Sequence, residues 1–215
     1  DALTTGAQNV AIGYAALTTD DLGSHSVAVG PSALFSQNFA TATNSYNTAV
    51  GSAAGGAVTT GINNTVGTLT GDALTTGEEN VAMGYQALGT ATKSDNNVAI
   101  GNSALEALNH TTQTNSYNSA VGHSAGATLT TGLRNTMVGF GAGKLATTSN
   151  DLVAIGYEAG GGATMTGNNN ICIGTDAGHD LTSGNGNIYI GLEVGDQATD
   201  SGECVAIGKR AGGAD

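Results

Sequence analysis

The sequence predicts an all-β chain wound as a parallel β-solenoid, a β-roll of about twelve turns of roughly 17 residues each. Three observations carry this. A nine-residue phrase, Asn9-Val10-Ala11-Ile12-Gly13-Tyr14-Ala15-Ala16-Leu17, returns as Asn80–Leu88 and Asn97–Leu105, with looser copies between and beyond. Its glycine recurs at 13, 30, 51, 67, 84, 101, 122, 139, 156, 174, 191 and 208, in steps of 16 to 21 residues. Before most of these glycines, β-branched residues alternate with a smaller one, mainly Ala, which is strand spacing and not helix spacing. A turn of this length is too short for a helix, a strand and two connections, but it fits one coil of two or three short strands.

The turns can be justified in chain order. Asp1-Ala2-Leu3-Thr4-Thr5-Gly6 recurs 71 residues later as Asp72–Gly77, and Thr43-Asn44-Ser45-Tyr46-Asn47 recurs as Thr114–Asn118. Residues 1–71 and 72–143 are therefore duplicated blocks of four turns, and 144–215 holds four plainer ones. No linker or charge run divides them, so the reading is one domain, 1–215. The 21-residue steps place four extra residues within Phe35–Tyr46 and within Glu106–Tyr117. The residue before each phrase glycine is always Ile, Val or Met, and this column is expected to face inward between stacked turns. The glycine itself ends the strand with a backbone angle or close approach that a Cβ would forbid. Three residues later an Ala column marks a tight, buried place. Four residues before the glycine, a column of Asn is positioned to hydrogen-bond along the stacking axis.

Composition excludes several classes. Glycine is 35 of 215 residues, charged residues are 10% and proline occurs once. Collagen is excluded because glycine is not every third residue, and disorder because the apolar positions are periodic. Seventeen acids against five bases give a net charge of −12. That argues against nucleic acid and anionic membranes as partners. No apolar run approaches the ~20 residues of a membrane span, and no signal peptide opens the chain. Beginning at Asp1, the chain is expected to be processed or excised from something longer. Cys172 and Cys204, in different columns two turns apart, are expected to be free: two steps of ~4.8 Å exceed disulfide reach.

The insertions concentrate aromatics in a chain with few, so Phe35, Phe39, Tyr46, His110 and Tyr117 are the candidate ligand-binding residues. No metal site is expected, since His25, His110, His123 and His179 occupy scattered positions. Asp20-Asp21, Asp95-Asn96-Asn97 and Asn168-Asn169-Asn170 could offer oxygens to calcium, but they match no calcium-loop pattern, and polar turns are the favoured reading. No cofactor is expected. Glu158, Asp176 and Glu193 share one column on consecutive turns. They could supply paired carboxylates for glycan cleavage, but a solvated acidic edge is favoured. The Thr-Thr turns, Thr4-Thr5, Thr59-Thr60, Thr75-Thr76 and Thr130-Thr131 before Gly and Thr147-Thr148 before Ser149, admit an ice-binding alternative, although threonine is not on every turn.

The Asn-x-Ala-Ile-Gly-Tyr-x-Ala-Leu phrase, with Thr-Thr-Gly between copies, resembles the haemagglutinin-type head repeats of trimeric autotransporter adhesins of the Yersinia adhesin type. It is more similar still to the repeats of bacteriophage tail-fibre proteins. The resemblance spans essentially the whole chain. It departs in step, since those heads commonly repeat near 14 residues, and the repeats of these 215 residues include no heptad pattern of a stalk, apolar anchor segment or self-cleaving chaperone. It implies a parallel homotrimer of β-rolls, a non-enzymatic structural rod in a viral tail fibre or at a cell surface. The implied partners are a host-surface glycan or protein receptor and other fibre components. The alternative it offers is a bacterial surface adhesin head. A thin core and small Ala and Gly columns suit three copies packed side by side.

Overall fold

The structure, a computed structural model, describes residues 6–212. The chain is all-β, a parallel β-solenoid of about twelve turns, with no helix among the described residues. It divides into two compact units, residues 6–102 with 109–115, and residues 103–108 with 116–212. The division passes through the second insertion and not between the sequence blocks.

In the first unit the strands are β1 (Val10–Ile12), β2 (Gly23–Ser24), β3 (Val27–Val29), β4 (Thr43–Asn44), β5 (Thr48–Val50), β6 (Asn63–Val66), β7 (Asn80–Met83), β8 (Ser94–Asp95), β9 (Val98–Ile100) and β10 (Thr114–Asn115). β1, β3, β5, β6, β7 and β9 pair in that order, all parallel and in phrase register, so that Val10 faces Val27 and Ile12 faces Val29. Short second ladders join β2 to β4 and β8 to β10. The second unit holds β11 (Ser119–Val121), β12 (Thr136–Val138), β13 (Val153–Ile155), β14 (Ile171–Ile173), β15 (Ile188–Ile190) and β16 (Val205–Ile207), again parallel and in sequential order.

The strand faces correct one expectation. The Ile/Val/Met column before the glycine points outward; from β3 onward it is the residue before that column in the phrase strands that fills the core, while Ala11 of β1, on the first described turn, is exposed. Ala28, Ala49, Ala99, Ala120, Met137, Ala154, Cys172 and Tyr189 are buried, while Val138 and Ile155 are 38% and 36% exposed. Alternation of period two fixes that the two sets face opposite ways, but not which set faces in. The reason for the outcome is space. A coil this narrow brings the strand close to the opposite wall, and a small side chain fits there.

Where the middle residue is larger, the opposite wall shrinks. A Cβ at Gly143 would lie 2.7 Å from the Met137 sulfur, at Gly195 2.9 Å from the Tyr189 ring, and at Gly178 2.6 Å from the Cys172 sulfur. The turns with Leu17, Leu34, Leu88 and Leu105 at the corresponding place carry alanine mid-strand. On turns where both places are small, such as Ala49 with Gly55 and Ala120 with Gly126, a neighbouring turn fills the space: a Cβ at Gly55 would lie 3.1 Å from Leu34 Cδ2 and one at Gly126 2.7 Å from Met137 Cε. The core therefore keeps its packing across adjacent turns.

The phrase glycines answer to both expected constraints. Gly30, Gly51, Gly122 and Gly139 have φ of +133°, +134°, +140° and +134°. A Cβ on Gly122 would overlap the carbonyl oxygen of Gly139 on the next turn, whereas one on Gly208, φ +120°, would meet nothing within 4 Å. Gly122→Ala should cost about 3 kcal/mol or more, from backbone strain plus a displaced turn. Gly208→Ala should carry only the strain, about 1–3 kcal/mol. Urea denaturation of the two variants checks the difference; equal losses would remove the close-approach half of the explanation.

The Asn column forms the expected ladder, and it is buried. Asn80 Nδ2 donates to Asn63 Oδ1 at 2.9 Å and Asn97 Nδ2 to Asn80 Oδ1 at 3.0 Å. In the second unit Asn135 Nδ2 donates to Asn118 Oδ1 at 2.9 Å and Asn187 Nδ2 to Asn170 Oδ1 at 3.1 Å. The same amides donate to turn carbonyls: Asn80 to Ser94 O at 2.8 Å and Asn135 to Ser149 O at 2.9 Å. A tight coil has no room for water at these carbonyls, and asparagine supplies the donor and the acceptor in one short side chain.

Candidate functional site

The outer face of the strand stack is the largest functional candidate. Two outward columns flank the buried middle residue. In the first unit they are Val10/Ile12, Val27/Val29, Thr48/Val50, Asn64/Val66, Val81/Met83 and Val98/Ile100. In the second they are Ser119/Val121, Thr136/Val138, Val153/Ile155, Ile171/Ile173, Ile188/Ile190 and Val205/Ile207. None of these 24 positions is charged, in a chain with 22 charged side chains. In the second unit the face continues into a ladder of rings directly after the phrase glycines. His123 stacks on Phe140 at 5.2 Å and 14°, and Phe140 on Tyr157 at 5.3 Å and 9°. Phe140 and Tyr157 stay about half exposed.

The insertion residues separate into two kinds. Phe39 and His110 are buried, 6% and 7% exposed, and present no face to a ligand. His110 Nδ1 and the Ser94 hydroxyl lie 2.9 Å apart inside the first unit. Gln37, two residues before Phe39, turns inward as well. Its Nε2 donates to Asp20 Oδ2 at 2.6 Å, and its Oε1 accepts from Asn47 Nδ2 at 2.7 Å. The extra residues of the first insertion thus build a polar plug in the coil. Phe35, Tyr46 and Tyr117 are exposed. Tyr46 packs against His25 with ring centroids 5.1 Å apart. Phe35 lines an open cleft of about 310 Å³ together with Ser32, Ser36, Ala53, Gly56, Ala57 and Asp72.

The acidic column of the second unit gathers more than the sequence indicated. Glu158, Asp176 and Glu193 are joined by His179 and Asp196 around an open cleft of about 280 Å³. Ligand atoms of Glu158, Asp176 and His179 lie within 4.8 Å of one another, so these three could converge on a cation. His179 Nε2 is 3.8 Å from Glu158 Oε2, and its Nδ1 is 2.7 Å from Asp180 Oδ1. Partial burial holds the Asp176 carboxyl above its ordinary range; Glu158, Glu193 and Asp196 add to this and His179 opposes it. Glu193 is drawn the other way by its ion pair with Arg210. Sequence reading missed His179 because its place depends on Gly162: the ring occupies the space a Cβ there would take.

The remaining oxygen clusters are engaged within the fold. Asp20 Oδ1 accepts from the Gly23 amide at 2.9 Å, Asp95 Oδ1 from the Glu78 amide at 2.8 Å, and Asn168 Oδ1 from the Asn150 amide at 2.7 Å. Threonine hydroxyls of the Thr-Thr turns likewise bond to the next turn: Thr59 to Thr75 O, Thr130 to Thr147 O and Thr147 to Met165 O, at 3.1, 2.9 and 3.3 Å. The Thr4-Thr5 turn lies outside the described residues. Cys172 and Cys204 are free, and burial pushes the Cys172 thiol up to about 12, so it is unreactive at neutral pH.

No protein-family model, no curated protein and no solved structure matches the chain.

Proposed function

We propose that this chain is a non-enzymatic structural module of an extracellular attachment fibre, such as a viral tail fibre, assembled as a parallel homotrimer. The observation that carries it is the uncharged outer sheet face. Its two columns of mostly β-branched side chains run through each unit with every charge placed elsewhere. Soluble single chains rarely keep apolar patches beyond a few hundred Å² in water. A second copy of the same face is the occupant of matching length, period and chemistry, because stacked turns repeat at one spacing in every copy. The number three and the attachment role come from the resemblance of the repeat phrase to tail-fibre and adhesin heads. Partners in this reading are the chain itself, adjoining fibre components, and a host-surface glycan or protein. The threonine hydroxyls, engaged between turns, weigh against an ice-binding role.

Three copies at −12 each repel one another, so association should strengthen as salt screens the charge. Size exclusion with light scattering should give three times the chain mass of 20.9 kDa in about 0.5 M salt. The double variant Val138→Asp/Ile155→Asp should lower the mass to that of one chain while circular dichroism keeps its β signal. A parent protein at single-chain mass, with β structure intact, would overturn the trimer.

A further inference from the structure

We infer that the Phe35 cleft of the first unit is a binding site for one pyranose ring of a glycan, an inference that rests on the attachment reading and assigns it a place. The cleft comes from one column of the repeat, five residues after each phrase glycine. On three consecutive turns this column reads Phe35, Gly56, Asp72. The backbone confirms that the turns are stacked in register here, with the Ser36 amide donating to Gly56 O and the Ala57 amide to Asp72 O, each at 3.0 Å. Turns repeat at about 4.8 Å, so the glycine opens a slot about two steps wide between an aromatic ring and a carboxylate. Its volume of about 310 Å³ lies at the lower end of small-ligand sites.

The chemistry of the slot is selective. Phe35, 42% exposed, offers an apolar face on one side. Asp72, opposite, is partly buried, and desolvation holds its carboxyl above the ordinary range. Ser32, Ser36, Ala53, Gly56 and Ala57 complete the lining. A pyranose matches this set: one face carries C–H groups that pack on an aromatic ring, and its hydroxyls donate to a carboxylate and exchange hydrogen bonds with serines. A cationic group would be drawn more strongly to the acidic cleft of the second unit, where four carboxylates gather. The slot is not a by-product of the coil. The same column of the duplicated block reads Glu106, Ala127, Lys144, which removes the ring, fills the gap and adds charges of both signs.

Saturation-transfer difference NMR on the full chain with methyl glycosides of glucose, galactose and N-acetylglucosamine tests this, with tetramethylammonium as the cationic probe. At least one glycoside should bind with Kd on the order of 1 mM, the range for a ligand of this size. Phe35→Ser should weaken it about tenfold and Asp72→Asn about fivefold. Tyr14→Ser, at an exposed aromatic outside the cleft, should leave it unchanged. Both cleft substitutions are at solvent-accessible positions, and unchanged circular dichroism confirms their folding. No glycoside binding, binding unaffected by Phe35→Ser, or binding of the ammonium probe alone would each overturn the sugar site. Light scattering on the same samples separates the two proposals: a trimer that binds no sugar overturns the cleft alone, and a sugar-binding single chain overturns the assembly alone.

Discussion

Ala154→Asp should unfold the coils around β13 at room temperature, while Ile155→Asp, one residue further on, should leave the individual chain folded. Ala154 is fully buried, and the coil around it is filled: a Cβ added at Gly160 would lie 3.0 Å from Met165 Cε and 3.8 Å from the Ala154 Cβ. A carboxylate there has no cation and no donor to meet, and a protonated one still needs space the coil lacks. The expected loss is about 4 kcal/mol or more. Ile155 points outward, so aspartate there meets water in the single chain and costs the apolar face, not the core. Because turns contact chiefly their neighbours, hydrogen exchange should show the Ala154→Asp damage centred on β12 to β14 and fading away from them. Equal melting of the two variants in the dissociated protein would contradict the orientation of the strands.

Asn135→Leu should be the other severe change, although leucine fills more apolar volume than asparagine. Its side chain donates to Asn118 Oδ1 and Ser149 O and accepts from the Leu152 amide at 2.9 Å. Substitution leaves Ser149 O and the Leu152 amide without that partner in a buried place, while Asn118 Oδ1 keeps the Asn135 backbone amide at 3.0 Å. At about 1–3 kcal/mol for each unsatisfied group, the loss should reach about 4 kcal/mol. Asn135→Asp tests the same site differently. It keeps the acceptor and removes the donors, so it should be destabilised at neutral pH and partly recovered in acid, where the protonated carboxyl donates again. Chemical denaturation as a function of pH reads both variants. A loss under about 1 kcal/mol for Asn135→Leu would show that the ladder adds little beyond stacking.

The sequence alone determined the architecture. Twelve phrase glycines at a near-constant step, with β-branched residues alternating before them, leave a parallel solenoid as the arrangement that satisfies period and strand spacing together. The Asn ladder, the buried Ala column and the need for glycine after each strand were legible for the same reason. Each is a column, and a column that repeats states one local constraint nine to twelve times.

What only the tertiary structure decided concerns direction and company. Val138 and Ile155 face out and Ala154 faces in because the coil is narrow, and period two is silent on which side is the core. Phe39 and His110 turn into the coil while Phe35 stays out, a choice made by the packing of two insertions that sequence marks only as extra length. His179 reaches Glu158 and Asp176 through the gap over Gly162, and Phe35 meets Asp72 across Gly56. Asp176 is three residues from His179, but Glu158 is 21 positions away, on the same turn as Gly162, and Phe35 and Asp72 are 37 positions apart with Gly56 on the turn between them. Both meetings therefore depend on the stacking of turns.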